Sequence, residues 1–263
     1  MDIINLSWIQ LSLAFLSLLV PAYILWTYET RLNKKMVIAS LRMVVQLLFV
    51  GFYMEYLFQL DNPWINVAWI LVMVAVANLA TIDRSELRFK KETLLPLFFA
   101  TLLGVVITDI FFLNAVIQLP KTLAAQYTIP ITGMVLGNCL TTNVIGLNAF
   151  FYGIKSEEER YQFYLACGAS RSEALTPFIS EAIRKSANPT LASMASIGLV
   201  YLPGMMTGQI LSGSPPIIAI KYQIMIMFAI FLGTILSLYL GIQFAGRYVF
   251  KDTDMLDESL LRN

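Results

Sequence analysis

Long apolar runs, each close to or above the length needed to cross a bilayer, restrict most strongly what this chain can fold into. A transmembrane helix needs about 20 mostly apolar residues. The chain has 263 residues, of which 58% are hydrophobic, and a mean hydropathy of +0.71. Seven apolar runs occur, at 3–28, 36–58, 64–82, 94–119, 129–152, 191–211 and 216–245. The sequence therefore predicts an all-α integral membrane protein with about seven transmembrane helices in a single domain over 1–263.

The distribution of lysine and arginine predicts how these spans are oriented. Of the 18 basic residues, 15 lie in the loops after the first, third and fifth runs or in the C-terminal tail. Lys121 and Lys221 lie on the opposite side, and Arg42 falls within the second run. Loops rich in positive charge remain in the cytoplasm. We therefore expect an external N-terminus and a cytoplasmic C-terminus. No basic segment precedes the first run, so we expect it to be an uncleaved anchor.

One long polar segment, at about 155–188, interrupts the apolar runs and is predicted to be a cytoplasmic loop. It contains three helix-start signals: Ser156 with Glu159, Ser170 with Glu173, and Thr176 with Pro177. Gly168 lies between the first two, where a helix end favours positive φ. We expect short capped helices at the membrane surface, of the kind that contacts a partner protein.

Several chemistries are excluded or disfavoured by missing residues. The chain has no histidine, which excludes histidine-based zinc sites, catalytic triads and haem ligation. It contains no P-loop motif, so nucleotide hydrolysis, if needed, belongs to another subunit. The two cysteines, Cys139 and Cys167, fall in a span and in the cytoplasmic loop, where a disulfide is not expected. A net charge of +1 gives no indication of nucleic-acid binding.

Polar and sulfur-containing residues cluster within the fifth and sixth runs. Because lipid disfavours such groups, we predict that they line a pathway through the membrane. The predicted pathway residues are Asn138, Cys139, Asn143, Met205, Met206 and Gln209, together with Asp109 in the fourth run. Two alternatives remain open: any single methionine serves equally well as core filling, and Asp109 either binds a cation or caps a neighbouring helix. Pro203 removes a backbone donor, which helps to build a polar lining.

Three motifs resemble one transporter family over about 10–247. They are Arg42-x-x-x-Gln46-Leu47, the stretch from Ile129 to Asn138 (IPITGMVLGN), and the stretch from Leu202 to Gly213 (LPGMMTGQILSG). The chain resembles the Fet-type permeases, which are membrane subunits of ABC transporters associated with bacterial iron export. The plant aluminium-tolerance permeases are similar.

This resemblance implies a mechanism and a set of partners. It implies a separate cytosolic ABC ATPase that binds the ATP, a second permease copy forming a homodimer, no cofactor in the chain itself, and a location in the bacterial inner membrane. The residues implied to couple the permease to its ATPase are Gly168, Ala169, Ser170, Arg171, Glu173 and Leu175. Gln162, Phe163 and Tyr164 stand where importers have Glu-Ala-Ala.

The nature of the solute and of its energy source remains open at this stage. Family resemblance makes iron the first candidate and supplies the direction of export. Sulfur ligands would suit a soft metal such as Cu(I), whereas iron or aluminium would prefer oxygen, so the metal ligands are unknown. An ion-driven secondary transporter or a channel is the alternative, although such carriers usually have several intramembrane acids. A membrane-embedded enzyme comes third, because no nucleophile and base pair is evident.

Overall fold

The protein is built from helices. The computed structural model describes residues 7–85, 87, 91–121, 123–250 and 255, with the backbone alone at 91 and 92. These residues form α1 (Trp8–Leu16), α2 (Leu19–Thr27), α3 (Asn33–Leu60), α4 (Pro63–Arg84), α5 (Lys91–Asp109) with a π-helical continuation (Ile110–Val116), α6 (Ala125–Ser156), α7 (Glu158–Ala166), α8 (Arg171–Ser196), α9 (Gly204–Leu211) and α10 (Pro216–Val249). The described residues form no strand, which confirms the predicted all-α class.

Six stretches of helix are long and apolar enough to cross a membrane: Trp8–Thr27, Asn33–Leu60, Pro63–Arg84, Thr93–Val116, Ala125–Ser156 and Pro216–Val249. They correspond to six of the seven predicted runs. The predicted span 191–211 is not one continuous helix, because α8 ends at Ser196 and α9 begins only at Gly204. The predicted start of the first run at Ile3, and the basic residues Arg88, Lys90, Lys251 and Arg262, lie outside the described residues.

The chain divides into two compact units. One comprises Met1–Leu60 with Leu211–Gly213, and the other comprises Asp61–Ile210 with Ser214–Asn263. In the first unit, α1–α3 expose most of their large apolar side chains, as a helix surrounded by lipid does. The predicted single domain over 1–263 stays a prediction.

In the second unit, α5, α6 and α10 form the core, and small residues bring their backbones together. An added Cβ at Gly233 of α10 would lie 2.5 Å from Val135 of α6, and one at Gly146 of α6 would lie 2.5 Å from Leu238 of α10. Positions along α6 and α10 therefore increase together, so the two helices run parallel. Close approach through glycine is typical of helix pairs in membranes.

Because α6 and α10 are parallel, the chain between them must return along the length of the unit. Near their starts, Tyr127 of α6 interacts with Tyr222 of α10. Beyond their ends, Tyr161 of α7 contacts Phe250, with ring centroids 5.9 Å apart, and Phe178 of α8, at 6.3 Å. The return path consists of α8, which is about 39 Å long at 1.5 Å per residue, and of α9. The predicted seventh span, 191–211, therefore belongs to a helix that is broken between Ser196 and Gly204.

At the end of the unit where α6 begins, Asp61 fastens the loop between α3 and α4 to that helix. The Asp61 carboxylate accepts a hydrogen bond from the backbone N–H of Ala125 at 2.8 Å and another from the Lys121 ammonium. The Ala125 N–H, followed by Lys121, holds the pKa of Asp61 below its usual value. Asp61 therefore acts as an N-cap that comes from a distant part of the chain.

We expect Asp61→Ala to lower the thermal midpoint at neutral pH by an amount equivalent to about 1 kcal/mol, the typical contribution of an N-cap. Because the pKa is lowered on folding, this stabilisation is fully present above the unfolded-state pKa of about 3.9 and is lost as the pH falls through the lower folded-state value. The difference in midpoint between wild type and variant should therefore shrink below about pH 4. A difference independent of pH would contradict the assigned role of the carboxylate charge.

Candidate functional site

The break between α8 and α9 borders a cavity of the second unit that is partly open to the surface, since Asn138, Thr141 and Tyr201 of its lining are exposed. After α8 ends at Ser196, Gly198 takes a positive φ of 85° and donates its N–H to the Tyr201 carbonyl at 3.0 Å. Pro203 then precedes α9 and accepts a hydrogen bond from the Thr207 N–H at 3.0 Å. Backbone that is not helical is tolerated at membrane depth only where it is buried in protein or lines a cavity. Ile197, Tyr201 and Pro203 of the break line the cavity, whereas Leu199 and Val200 are exposed.

The cavity has a volume of about 360 Å³ and is bounded by α6, the last turns of α8, the break, the start of α9, and α10. Its polar and sulfur-bearing lining residues are Met134, Asn138, Thr141, Thr142, Ser186, Thr190, Ser193, Tyr201, Met205, Gln223 and Met227. Several of the hydroxyl and amide groups already donate to their own helix, as Asn138 does to the Met134 carbonyl at 2.8 Å. The donor groups of these side chains are therefore already used, and their oxygen atoms remain available as acceptors for a solute.

Of the predicted pathway residues, Asn138 and Met205 line this cavity, and Cys139 and Asn143 do not. The reason is helical geometry, since neighbouring residues project about 100° apart. Met134, Asn138 and Thr141 share one face of α6, which lies along the cavity. Cys139 projects from another face and is fully buried in the core.

Asn143 belongs to a buried polar contact between three helices. Its amide donates to Ser237 Oγ of α10 at 2.8 Å and to Thr101 Oγ1 of α5 at 3.4 Å, and Ser237 donates to Thr101 at 3.2 Å. All three residues are at most 3% exposed. Hydrogen bonds between membrane helices add to their association, so Asn143 joins helices in this structure.

Met206 and Gln209 also lie outside the cavity lining, although both belong to α9. Met206 is buried, whereas its neighbour Met205 is half-buried and lies against the cavity. Met205 and Met206 therefore have the same side chain, but only Met205 lines the cavity.

Asp109 lies in a second cavity, of about 420 Å³, which α4, α5 and the π-helical stretch line with mostly apolar side chains. Its carboxylate accepts a hydrogen bond from Thr132 at 2.6 Å, so it ties α5 to α6. The α-to-π transition begins at the next residue, Ile110. The structure thus separates Asp109 from Asn138 and Met205, with which the sequence grouped it.

Six polar or sulfur-bearing cavity residues outside the fifth run were missed by sequence reasoning: Ser186, Thr190, Ser193, Tyr201, Gln223 and Met227. Ser186, Thr190 and Ser193 are spaced three or four apart, which places them on one face of α8. That spacing was detectable in the sequence, but the predicted start of a span at 191 separated Ser193 from Ser186 and Thr190. Gln223 is 6% exposed although it lies in a mostly apolar helix, which is itself an indication of an internal polar surface.

The loop between α7 and α8 has the predicted central cap. Gly168 has φ of 89°, its N–H donates to the Leu165 carbonyl at 2.9 Å, and the Ala169 N–H donates to the Tyr164 carbonyl at 3.1 Å. These two bonds form a Schellman motif. Ser170 and Glu173 then form a reciprocal capping box at the start of α8. The Ser170 hydroxyl and N–H hold the pKa of Glu173 below its usual value.

The other two start signals in this segment are wrong. Ser156 is the last residue of α6 and its hydroxyl donates to the Gly153 carbonyl at 3.1 Å, so no capping box forms with Glu159. Thr176 and Pro177 lie inside α8, where the Thr176 hydroxyl donates to the Ser172 carbonyl at 2.9 Å. Pro177 removes one backbone hydrogen bond within α8, and the helix nevertheless continues to Ser196.

The predicted coupling residues divide into anchors and exposed positions. Leu175 is 7% exposed and belongs to the core cluster that contains Tyr161 and Phe250. The Arg171 guanidinium lies over the Phe250 ring, 5.6 Å from its centroid. Gly168, Ser170 and Glu173 are exposed, and Ala169 is half-buried. Phe163, which was noted in the sequence but not counted among the coupling residues, is 65% exposed beside this loop.

Among the described residues, no group of three or more cysteine, aspartate, glutamate or histidine residues is arranged to hold a metal ion. The lining of the cavity between α6, α8 and α10 contains no ionisable acid or base except the phenol of Tyr201. Any cation in that cavity would therefore be bound by neutral amide, hydroxyl, carbonyl and thioether groups.

Comparison with known proteins identifies the family. The profile of an uncharacterised protein family, UPF0014, matches residues 8–250. The UPF0014 membrane protein YjkA of Bacillus subtilis (strain 168) is 34% identical over 225 residues, covering 85% of this chain and 87% of that protein. The "Probable iron export permease protein FetB" of Escherichia coli (strain K12) is 31% identical over 236 residues, covering 87% and 89% of the two chains.

A plant relative is similarly distant. Protein ALUMINUM SENSITIVE 3 of Arabidopsis thaliana is 31% identical over 215 residues, covering 81% of this chain and 77% of that protein. No solved structure matches the chain. The six membrane-length helices and the names of these relatives make the chain a multi-pass membrane protein. The chain belongs to the UPF0014 family of membrane proteins.

Proposed function

We propose that this chain is the membrane subunit of an ABC transporter that exports a metal ion from the cytoplasm. The observation that carries the proposal is the partly open cavity at the break between α8 and α9, which uncharged polar and sulfur-bearing side chains line. Relatives named for iron export and for aluminium sensitivity favour a metal as cargo, with iron as the first candidate.

A separate cytosolic ATPase is proposed as the energy source, because this chain has no P-loop. The segment from α7 to the first turn of α8 is the proposed contact with that ATPase. Tyr161 and Leu175 anchor it in the core, while Phe163, Gly168 and Glu173 face outward. A surface that combines an exposed aromatic side chain with a rigid cap has the properties of a protein-binding site.

The same helix, α8, connects this segment to the cavity. Its first turn carries the capping box at Ser170, and its last turns contribute Thr190 and Ser193 to the cavity wall. A displacement of the loop by the ATPase would therefore move one wall of the cavity directly. By the charge rule this loop is cytoplasmic, and a second copy of the chain is proposed to complete the transporter in the bacterial inner membrane.

The alternative, an ion-driven secondary transporter or channel, receives less support. Proton-coupled carriers place titratable groups along the substrate path. Here Asp109 lies in a separate, mostly apolar cavity.

Inside-out vesicles that contain the chain and a cytosolic ABC ATPase of the same cell test the proposal. We expect Fe(II) uptake that requires ATP, and we expect Asn138→Leu to reduce it at least about tenfold, because a lost contact of about 1.4 kcal/mol has that effect. Gln243→Leu is the matched control: it removes an exposed amide of α10 that does not line the cavity. Uptake driven by an ion gradient without ATP would favour the alternative.

A further inference from the structure

The cavity between α6, α8 and α10 combines an unusual set of groups. Three methionines line it, each from a different helix: Met134 from α6, Met205 from α9 and Met227 from α10. All three are partly buried and pack against the same core cluster. Three different elements thus each contribute one thioether to the wall of the same partly open cavity.

The net charge of the lining restricts which ions can enter. No carboxylate, thiolate or imidazole lines the cavity in the described part of the chain. The free energy needed to move an ion out of water grows with the square of its charge, so it is about fourfold larger for a divalent ion and about ninefold larger for a trivalent ion than for a monovalent one. A neutral site therefore favours a monovalent ion.

The helix dipoles at the cavity do not supply the missing negative charge. α8 reaches the cavity with its C-terminal end, at Ser193 and Ile197, and α9 begins there, at Gly204 and Met205. The partial negative charge of one helix end thus stands against the partial positive charge of the other. The selectivity of the cavity among ions therefore depends on the chemical type of its ligand atoms.

The donors distinguish among monovalent ions. Thioether sulfur is a soft ligand that selects Cu(I), whereas hard ions prefer oxygen. Gln223 and Asn138 add amide oxygens, which also bind hard ions. The thioethers of Met134, Met205 and Met227 favour a soft ion. Because methionine cannot be deprotonated, the site also stays neutral at every physiological pH.

We propose that this cavity binds a soft monovalent metal ion, of which Cu(I) is the biological example, through the thioethers of Met134, Met205 and Met227. This inference rests on the proposed function in taking the cavity as the substrate site, and it names a substrate class that differs from iron. Cu(I) is the copper species that a reducing cytoplasm supplies. Ag(I), which has the same charge and a similar preference for sulfur, serves as a probe that air does not oxidise.

Equilibrium dialysis of the purified full-length chain against Ag(I) tests binding without any ATPase. All measurements use a Cys139→Ala, Cys167→Ala background, because both cysteines are free and thiolates would also bind Ag(I). We expect the triple substitution Met134→Leu, Met205→Leu, Met227→Leu to weaken Ag(I) binding at least about 100-fold, the upper range seen even for residues that support a metal ligand.

The matched control replaces three methionines that do not line the cavity. They are Met73 of α4, Met206 of α9 and Met225 of α10, all of which are buried or packed in the same region. Leucine keeps the volume of methionine, so both triple variants should fold. We expect the control to bind Ag(I) as the background protein does. If the cavity variant loses helical content, the three single substitutions take its place, each with a loss of at least about tenfold expected.

The outcomes separate this inference from the proposed function. Equal Ag(I) binding by the cavity and control variants, or no binding by the background protein, overturns the methionine site. Stimulation of the ATPase complex by Fe(II) together with absence of Ag(I) binding also overturns it, while leaving the proposed function intact. Ag(I) binding that depends on the three methionines supports the site even if the chain is later found to work without an ATPase.

Discussion

Gly168→Val is expected to abolish copurification of the cytosolic ATPase with this chain and, with it, ATP-dependent transport. Gly168 joins α7 to α8 at φ of 89°. A side chain in the left-handed region costs about 1–2 kcal/mol, and a β-branched residue is among the least tolerated there. We expect the segment to relieve this strain by rotating α8 against α7, which would displace Phe163 relative to Ser170 and Glu173.

The expected effect of Gly168→Val comes from backbone strain and not from a steric clash with neighbouring atoms. An added Cβ at Gly168 would meet no atom within 4 Å. Gly168→Asn is therefore the matched control, because asparagine adopts the left-handed conformation with little strain. We expect Gly168→Asn to retain most of the ATPase and most of the transport activity.

Quantifying the ATPase that elutes with the affinity-purified permease, together with ATP-dependent uptake by vesicles, provides the measurement. Full ATPase recovery and full transport by Gly168→Val would show that this loop does not dock. Loss in both variants to the same degree would point to a contact made by the glycine itself and would remove the conformational argument.

The features that were predictable from sequence depend on local chemistry. Apolar length alone placed six membrane helices, and serine, glutamate and glycine at fixed spacing placed the cap at Ser170 and the turn at Gly168. Each of these signals acts within a few residues, so no knowledge of the tertiary fold was needed. The break at 197–203 was only partly predictable. Gly198 and Pro203 indicated an interruption, but the hydropathy of the run predicted a continuous span.

The site was less predictable because it depends on which face of each helix meets which neighbour. Asn138 and Cys139 are adjacent in sequence, yet one lines the cavity and the other is fully buried in the core. The grouping of Asp109 with the methionines failed for a related reason. Two polar residues in neighbouring spans share a site only if both helices turn those residues toward the same space, and that arrangement is set by packing between helices.

Sequence clusters were therefore a mixture of functional and structural positions. Asn143 joins α5, α6 and α10 through Ser237 and Thr101, a role that its type alone could not distinguish from solute binding. Gln223 has the same chemistry but lies at the cavity. An amide side chain within a membrane helix indicates that this position faces protein or a cavity. The neighbouring helices determine whether the amide joins two helices or lines a cavity.

Gly104→Ala is expected to destabilise the protein strongly, because α5 and α10 touch through their backbones at this position. An added Cβ would lie 2.9 Å from the backbone nitrogen of Ser237 and 3.1 Å from its Cα. Backbone atoms cannot rotate away, so the two helices must separate. Overpacking of this kind typically costs about 1–3 kcal/mol. Separation would also lengthen the hydrogen bond from Ser237 to Thr101, now 3.2 Å.

Gly246→Ala, on α10, is the matched control for Gly104→Ala. An added Cβ there meets no atom within 4 Å, and alanine favours a helix over glycine by about 1 kcal/mol. The two substitutions should therefore shift the thermal midpoint of the detergent-purified protein in opposite directions. Ser237→Gly should not rescue Gly104→Ala, since the closest contact is with the Ser237 backbone. Equal midpoints for the two alanine variants, or full rescue by Ser237→Gly, would show that α5 and α10 are not in backbone contact at Gly104.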